Sequence, residues 1–186
     1  HKGAVSMSND LTRRLKDAIR TVPDFPIEGV MFRDITPVLG EPGLVSSITD
    51  QFVEDLQQLG WRPDVIVGPE ARGFIFGPLL ADRLGCGFVP VRKPGKLPAP
   101  SRRVEYSLEY GSNALEMHED AIEPGQKAVI IDDLLATGGT ISACASLCEQ
   151  SGATVQGALF LIELDGLGAR DEIAPVKAHS LVTYPA

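Results

Sequence analysis

The chain has 186 residues, 44 % hydrophobic and 23 % charged, the balance of a single globular domain and not of a disordered chain. Acidic residues outnumber basic ones 25 to 17, and the resulting net charge of −8 speaks against general nucleic-acid binding, which needs a basic face. The longest apolar runs, such as 158–162, fall far short of the roughly 18 residues of a membrane span, and no secretory signal precedes the first helical pattern, so a cytoplasmic protein is expected.

Residues 1–8 show no core pattern and read as a tag remnant or a disordered terminus, leaving 9–186 as one domain. From Asn9 onward Leu11, Leu15, Ala18 and Ile19 recur at helical spacing up to Pro23, with Ser8 or Asn9 as the N-cap. Residues 24–43 hold Pro26, Pro37, Pro42, Gly29, Gly40 and Gly43, a density of breakers that predicts a long irregular, functional segment. A second helix follows, with Val45, Ile48, Phe52, Val53, Leu56 and Leu59 on one face and Gly60 as its stop.

Beyond Gly60 the pattern alternates. Residues 65–67 predict a strand, 68–73 a turn, 74–84 a helix, 88–91 a strand and 93–103 a long loop. Residues 105–108 and 114–118 predict a hairpin turning around Gly111-Ser112-Asn113. Residues 128–131 predict a strand, 140–151 a helix, 154–162 a strand and 179–184 an edge strand. Continuously apolar strands separated by helices imply an α/β fold with a mostly parallel central sheet flanked by helices. The three cysteines, Cys86, Cys144 and Cys148, fit neither a disulfide framework nor a zinc site, and buried thiols are expected.

The segment richest in chemistry is Val129-Ile130-Ile131-Asp132-Asp133-Leu134-Leu135-Ala136-Thr137-Gly138-Gly139-Thr140. It reads as a buried strand, two carboxylates, then a Thr-Gly-Gly-Thr turn opening a helix. Ligands of open α/β sheets bind at the carboxyl ends of strands. Gly138 and Gly139 allow close backbone approach to an oxyanion, which the helix dipole and its free N–H groups favour, while Thr137 and Thr140 add hydroxyl donors. No P-loop and no Gly-x-Gly-x-x-Gly fingerprint is present, which points to a lone phosphate. Carboxylates beside it suit the hydroxyls of a ribose, or a Mg²⁺ shared with it. Together these features spell ribose 5-phosphate. A second anion site is suggested by Arg92, Lys93, Lys96, Arg102 and Arg103, five basic residues with no acidic one among them, and by Arg72 on the turn after the 65–67 strand.

The 132–140 segment resembles the phosphoribosyl-pyrophosphate signature of type I phosphoribosyltransferases, and the remaining matches narrow the resemblance to their adenine-specific family. Pro23-Asp24-Phe25-Pro26 with Phe32-Arg33-Asp34-Ile35-Thr36-Pro37 resembles that family's N-terminal base-binding hood, here about residues 9–40. Glu70-Ala71-Arg72-Gly73-Phe74 is similar to its pyrophosphate loop. Arg92-Lys93, Gly95-Lys96-Leu97-Pro98 and Tyr106-Ser107-Leu108-Glu109-Tyr110-Gly111 are similar to its flexible catalytic loop and hairpin.

The resemblance implies conversion of adenine and phosphoribosyl pyrophosphate to AMP and pyrophosphate, with Mg²⁺ held mainly through the substrate, in a cytoplasmic homodimer. It implies that Ala136, Thr137, Gly138, Gly139 and Thr140 hold the 5-phosphate and that Asp132 and Asp133 hold the ribose hydroxyls. Glu70, Ala71, Arg72 and Lys96 are implied for pyrophosphate, with a non-proline cis bond at Glu70–Ala71 and with Arg92 reaching toward the partner subunit's site. Phe25, Met31 and Arg33 are implied for adenine, Glu109 as the acid/base, and Tyr110 beside it on the loop. Arg102 and Arg103 receive no role. Two alternatives stand beside this one: transfer to another purine base, and a phosphoribosyl-pyrophosphate-sensing regulator. The hood offers no lysine between Thr21 and Asp50 to face a 6-oxo group, and the chain lacks the basic face of a nucleic-acid-binding regulator.

Overall fold

The computed structural model describes residues 2–107 and 111–186. A first helix α1 (Lys2–Ala18) leads into a hairpin of β1 (Arg20–Pro23) and β2 (Met31–Asp34), then α2 (Thr36–Gly40) and α3 (Leu44–Leu59). The alternating part follows as β3 (Val65–Pro69), α4 (Gly73–Leu84) and β4 (Gly87–Val91). A second hairpin, β5 (Ser101–Ser107) and β6 (Ser112–His118), comes before β7 (Lys127–Leu135), α5 (Gly139–Gln150) and β8 (Thr154–Asp165). The short α6 (Ala169–Ile173) and β9 (Ala178–Pro185) complete the chain.

Five strands form one parallel sheet in the order β4-β3-β7-β8-β9, as the uninterrupted apolar runs require. The period-two alternation of a strand divides their side chains between two cores. Val65, Val67, Ala128, Ile130, Ala158 and Phe160 face α5 and the β5–β6 hairpin. Ile66, Val129, Ile131, Leu159 and Leu161 face α1, α3 and α4, which contribute Leu15, Ile48, Phe52, Phe76 and Leu80. Each fully buried side chain of this size stabilises the fold by about 1.5–3 kcal/mol, so the sheet is a rigid platform for whatever its strand ends carry. The cysteines are free thiols, and burial pushes Cys144 well up and Cys148 to about 12.

Three local features differ from the sequence reading. The backbone of α1 is helical from Lys2, so Ser8 and Asn9 lie inside the helix instead of capping it. The segment 24–43, expected to be irregular, contains β2, which pairs with β1 just before it, and the helix α2. Its breakers build the turn between the two strands: Phe25–Pro26 is cis, Asp24 has φ +55°, and the Asp24 carboxylate accepts the Gly29 N–H at 2.8 Å. Finally, β5 begins at Ser101, which places Arg102 and Arg103 in a strand and not in the loop. Pairing with β6 over the whole length from Ser101↔His118 to Ser107↔Ser112 overrides the local loop signal.

α4 packs closely on β4. A Cβ added at Gly77 would run into the ring of Phe88. Gly77→Ala is therefore expected to destabilise the protein by about 1–3 kcal/mol through overpacking. Urea unfolding should show a lower midpoint with an unchanged slope.

Candidate functional site

Because β3, β4 and β7 are parallel neighbours, the turns leaving their carboxyl ends meet at one edge of the sheet. A crevice of about 190 Å³ opens there, lined by Arg72 and by every residue from Asp132 to Ile141. All the residues expected to hold the ribose 5-phosphate are thus gathered in one place.

The 136–140 loop is shaped by Gly138, whose φ of +93° favours glycine and which N-caps α5. A Cβ there would lie 2.9 Å from Ile173 Cγ2 and 3.0 Å from the Ala169 carbonyl, so α6 backs the loop directly. Among the described residues no side chain caps α5, and its first-turn N–H groups face the crevice. Among the described residues, a Cβ at Gly139 would meet only the Tyr106 ring, at 3.6 Å.

The two aspartates have different partners. Asp133 is buried and accepts a hydrogen bond from Arg72 Nε at 2.5 Å, tying the end of β7 to the turn after β3. Asp132 accepts the Asp133 N–H at 2.8 Å. Burial, with the Asp133 charge beside it, pushes the Asp132 carboxyl well above the usual range. A carboxyl so placed gains from any ligand hydroxyl or cation that offsets its charge.

The turn after β3 contains the cis Glu70–Ala71 bond that the resemblance implies. The Glu70 N–H is taken by the Val91 carbonyl at 2.9 Å. Its carboxylate accepts the Lys93 N–H at 2.9 Å and Arg92 Nε at 3.2 Å, and these contacts hold its pKa below the ordinary value. Among the described residues, the N–H groups of Ala71 and Arg72 enter no backbone hydrogen bond. Arg92 also lies 5.9 Å from the ring centroid of Phe74. Lys96 is exposed on the loop after β4.

The hood residues assemble elsewhere. The Phe25 ring meets Phe32 edge-on at 5.1 Å, and Phe25 and Met31 are each about half exposed. Arg33 donates to Thr21 Oγ1 at 2.7 Å and lies 4.3 Å over the ring of Tyr184, so the contacts of the hood run to β9 and not to the crevice. Glu109 and Tyr110 lie outside the described residues.

Sequence reasoning missed Tyr184, which is distant from every motif. It also missed the buried Glu163 on β8. Glu163 takes a bidentate pair from Arg170 of α6 at 2.8 and 2.9 Å, and Ser180 of β9 donates to it at 2.7 Å. That carboxylate pins the short helix that backs Gly138.

Comparison with known proteins supplies a family. Residues 39–176 match the phosphoribosyl transferase domain. Adenine phosphoribosyltransferase of Synechococcus sp. is 53 % identical over 170 residues, covering 91 % of this chain and 98 % of that one. The crystal structure of adenine phosphoribosyltransferase from Thermoanaerobacter pseudethanolicus superimposes with a TM-score of 0.89 at 48 % identity, over 93 % of this chain and 99 % of the other. The Saccharomyces cerevisiae enzyme, complexed with an imino-altritol bisphosphate and adenine, gives 0.90 at 40 % identity, over 94 % and 99 %.

Two predictions follow from this geometry. Gly138→Ala should destabilise the fold by about 1–3 kcal/mol through its strained φ and its collision with α6. Gly139→Val should stay folded yet lose AMP binding, because its side chain occupies the face where a phosphate would sit. Thermal melts paired with AMP titrations separate the two. Glu163 supplies the second. Its hydrogen bonds to Arg170 and then Ser180 hold its pKa below the ordinary 4.5, so its stabilisation is full above that value and lost as pH falls through the lower folded one. Glu163→Gln should cost about 1–2 kcal/mol near neutrality, a figure reduced by the exposure of Arg170. The gap from wild type should narrow as pH falls below 4.5 and close once it passes the lower folded-state value, as read by chemical denaturation.

Proposed function

The chain belongs to the phosphoribosyltransferase family, and we propose that it transfers the 5-phosphoribosyl group of phosphoribosyl pyrophosphate to adenine, giving AMP and pyrophosphate. The observation that carries this reading is the joining of an uncapped helix N-terminus at Gly138-Gly139 with Asp132, Asp133 and Arg72 in a single crevice. Such a crevice offers donors for a phosphate, carboxylates for a sugar diol and a cation beside them.

In this reading the backbone of residues 136–140 holds the 5-phosphate, and Asp132 and Asp133 accept hydrogen bonds from the ribose hydroxyls. Arg72, the free N–H groups of Ala71 and Arg72, and Lys96 hold the pyrophosphate, while Glu70 fixes Arg92 and Lys93 beside it. A Mg²⁺ held with the substrate would supply charge neutralisation for the leaving pyrophosphate. Among the described residues no cluster of three ligating side chains exists. The Asp132–Asp133 pair fits the coordination in which one or two carboxylates join substrate oxygens.

The bond from ribose C1 to pyrophosphate breaks toward an oxocarbenium-like cation, and adenine N9 captures it with its lone pair. Exclusion of water protects that cation from hydrolysis. The N9 proton is lost as the new bond forms, and Glu109 is assigned to move it. Phe25 gives the base an apolar wall, with Arg33 and the backbone at Met31 reading its edge. The protein is proposed to work as a cytoplasmic homodimer in which Arg92 lies toward the partner.

Incubation of each purine base with phosphoribosyl pyrophosphate and Mg²⁺ tests the function. Adenine should yield AMP, and preference for hypoxanthine or guanine would overturn the assignment. Glu109→Leu should lower kcat by about 10²–10⁴-fold with phosphoribosyl-pyrophosphate binding nearly intact. Glu109→Gln, which keeps size but not proton transfer, should lose a substantial part of that. Wild-type kcat in both would show that Glu109 is scaffold. Sedimentation of the active enzyme at micromolar concentration should give a dimer.

A further inference from the structure

Glu116 sits in the middle of β6, outside the crevice, and has no part in the reaction as drawn above. Its backbone nevertheless forms a two-way bridge with Arg92: the Glu116 N–H donates to the Arg92 carbonyl at 2.7 Å, and the Arg92 N–H donates back at 2.9 Å. Its carboxylate reaches further along the same loop and accepts the Gly95 N–H at 2.7 Å. Arg103, its cross-strand neighbour on β5, turns to Glu105 instead.

The segment 92–100 is basic, with Arg92, Lys93 and Lys96 and no acidic residue. Two carboxylates approach it, Glu70 from the turn after β3 and Glu116 from β6. Both are engaged by backbone N–H groups, those of Lys93 and Gly95. Among the described residues, no ion pair includes Lys93 or Lys96. The loop is therefore held from both sides by its main chain, while its ammonium groups stay available to an anion. Gly95 makes this possible through its φ of +79°, with nothing within 4 Å of where a Cβ would stand. A loop ordered in advance loses less conformational freedom when an anion binds.

We propose that Glu116 is a positioning residue for the pyrophosphate site: by capturing the Gly95 N–H it fixes the turn that presents Lys96, and it strengthens binding of a diphosphate it does not touch. The inference rests on the assignment of Lys96 to pyrophosphate. It separates the acidic residues near this loop into holders of its backbone and leaves the charge contact to the lysine.

The test uses inorganic pyrophosphate as the varied substrate of the reverse reaction with AMP. Lys96→Ala, Glu116→Ala, Glu116→Gln and the Lys96→Ala/Glu116→Ala double variant are compared. Glu116→Ala should raise the pyrophosphate KM about tenfold, the scale of one charge-assisted hydrogen bond, with the KM for AMP and the melting temperature little changed. Glu116→Gln retains an acceptor oxygen and should recover most of the loss, which a general packing role would not predict. In the double variant the Glu116 substitution should add nothing to the Lys96→Ala defect. Gly95→Ala strains the same turn without altering β6 and should reproduce the selective rise in pyrophosphate KM, including where Glu116→Ala folds poorly. A defect in Lys96→Ala with none in Glu116→Ala or Gly95→Ala overturns the positioning role and leaves the site assignment standing. Additive defects in the double variant overturn it as well. A normal pyrophosphate KM in Lys96→Ala overturns the site assignment itself, and the inference with it.

Discussion

The parallel pairing of β3 with β4 on one side and β7 on the other is the constraint from which the crevice is built. It brings three strand ends, and three chain turns, within reach of one small ligand. It also crowds charge: Arg72, Arg92, Glu70, Asp132 and Asp133 all emerge there. The crowding is resolved by pairing across neighbouring strand ends. Arg72, after β3, binds Asp133 on β7, and Arg92, after β4, binds Glu70 after β3. Each pair adds a side-chain tie to turns whose strands are already in backbone register. Asp132 is left as the carboxyl whose charge burial opposes, and that is the group a ligand would most relieve.

The Gly138 end of the crevice depends on a second layer of support. Gly138 packs directly against α6, which has just five residues of its own. A helix that short has little intrinsic stability. Its position is set by the Arg170–Glu163 pair and by Ser180, which tie it to β8 and β9 at the far side of the sheet. The anion loop is thus shaped locally by glycine and placed by a buried carboxylate from a strand that contributes nothing to the crevice itself.

This division explains what could be read from the chain. The strand-Asp-Asp-loop-helix unit is local: its apolar run, its glycines and its helix start lie within a dozen residues, and the sequence names them all. The alternation of buried strands and helices likewise fixes the sheet. The elements that escaped are those whose signal is carried by a distant partner. The β1–β2 strands are short and largely exposed, and only their mutual pairing and the Asp24–Gly29 bond distinguish them from a proline-rich loop. Glu116 and Glu163 look like ordinary strand carboxylates until the Gly95 amide and Arg170 are brought to them by the fold. Tyr184 gains its meaning only when Arg33 lies across its ring.

The two halves of the proposed reaction accordingly stand on unlike foundations. The ribose-phosphate half rests on a five-stranded sheet buried on both faces, with its charges paired in advance. The base half rests on a two-stranded hairpin whose apolar side chains Phe25, Ile27, Val30 and Met31 are all exposed. Its described tie to the central sheet is the stacking of Arg33 on Tyr184 at the end of the edge strand β9. A rigid crevice can bind a charged sugar with little reorganisation. An exposed apolar hood gains from covering a flat, weakly polar ring. In the proposed reaction, discrimination among purines would then fall to this exposed hairpin, where a change in backbone carbonyls or in the Arg33–Tyr184 stack would alter the choice of base while leaving the sugar-phosphate crevice as it is.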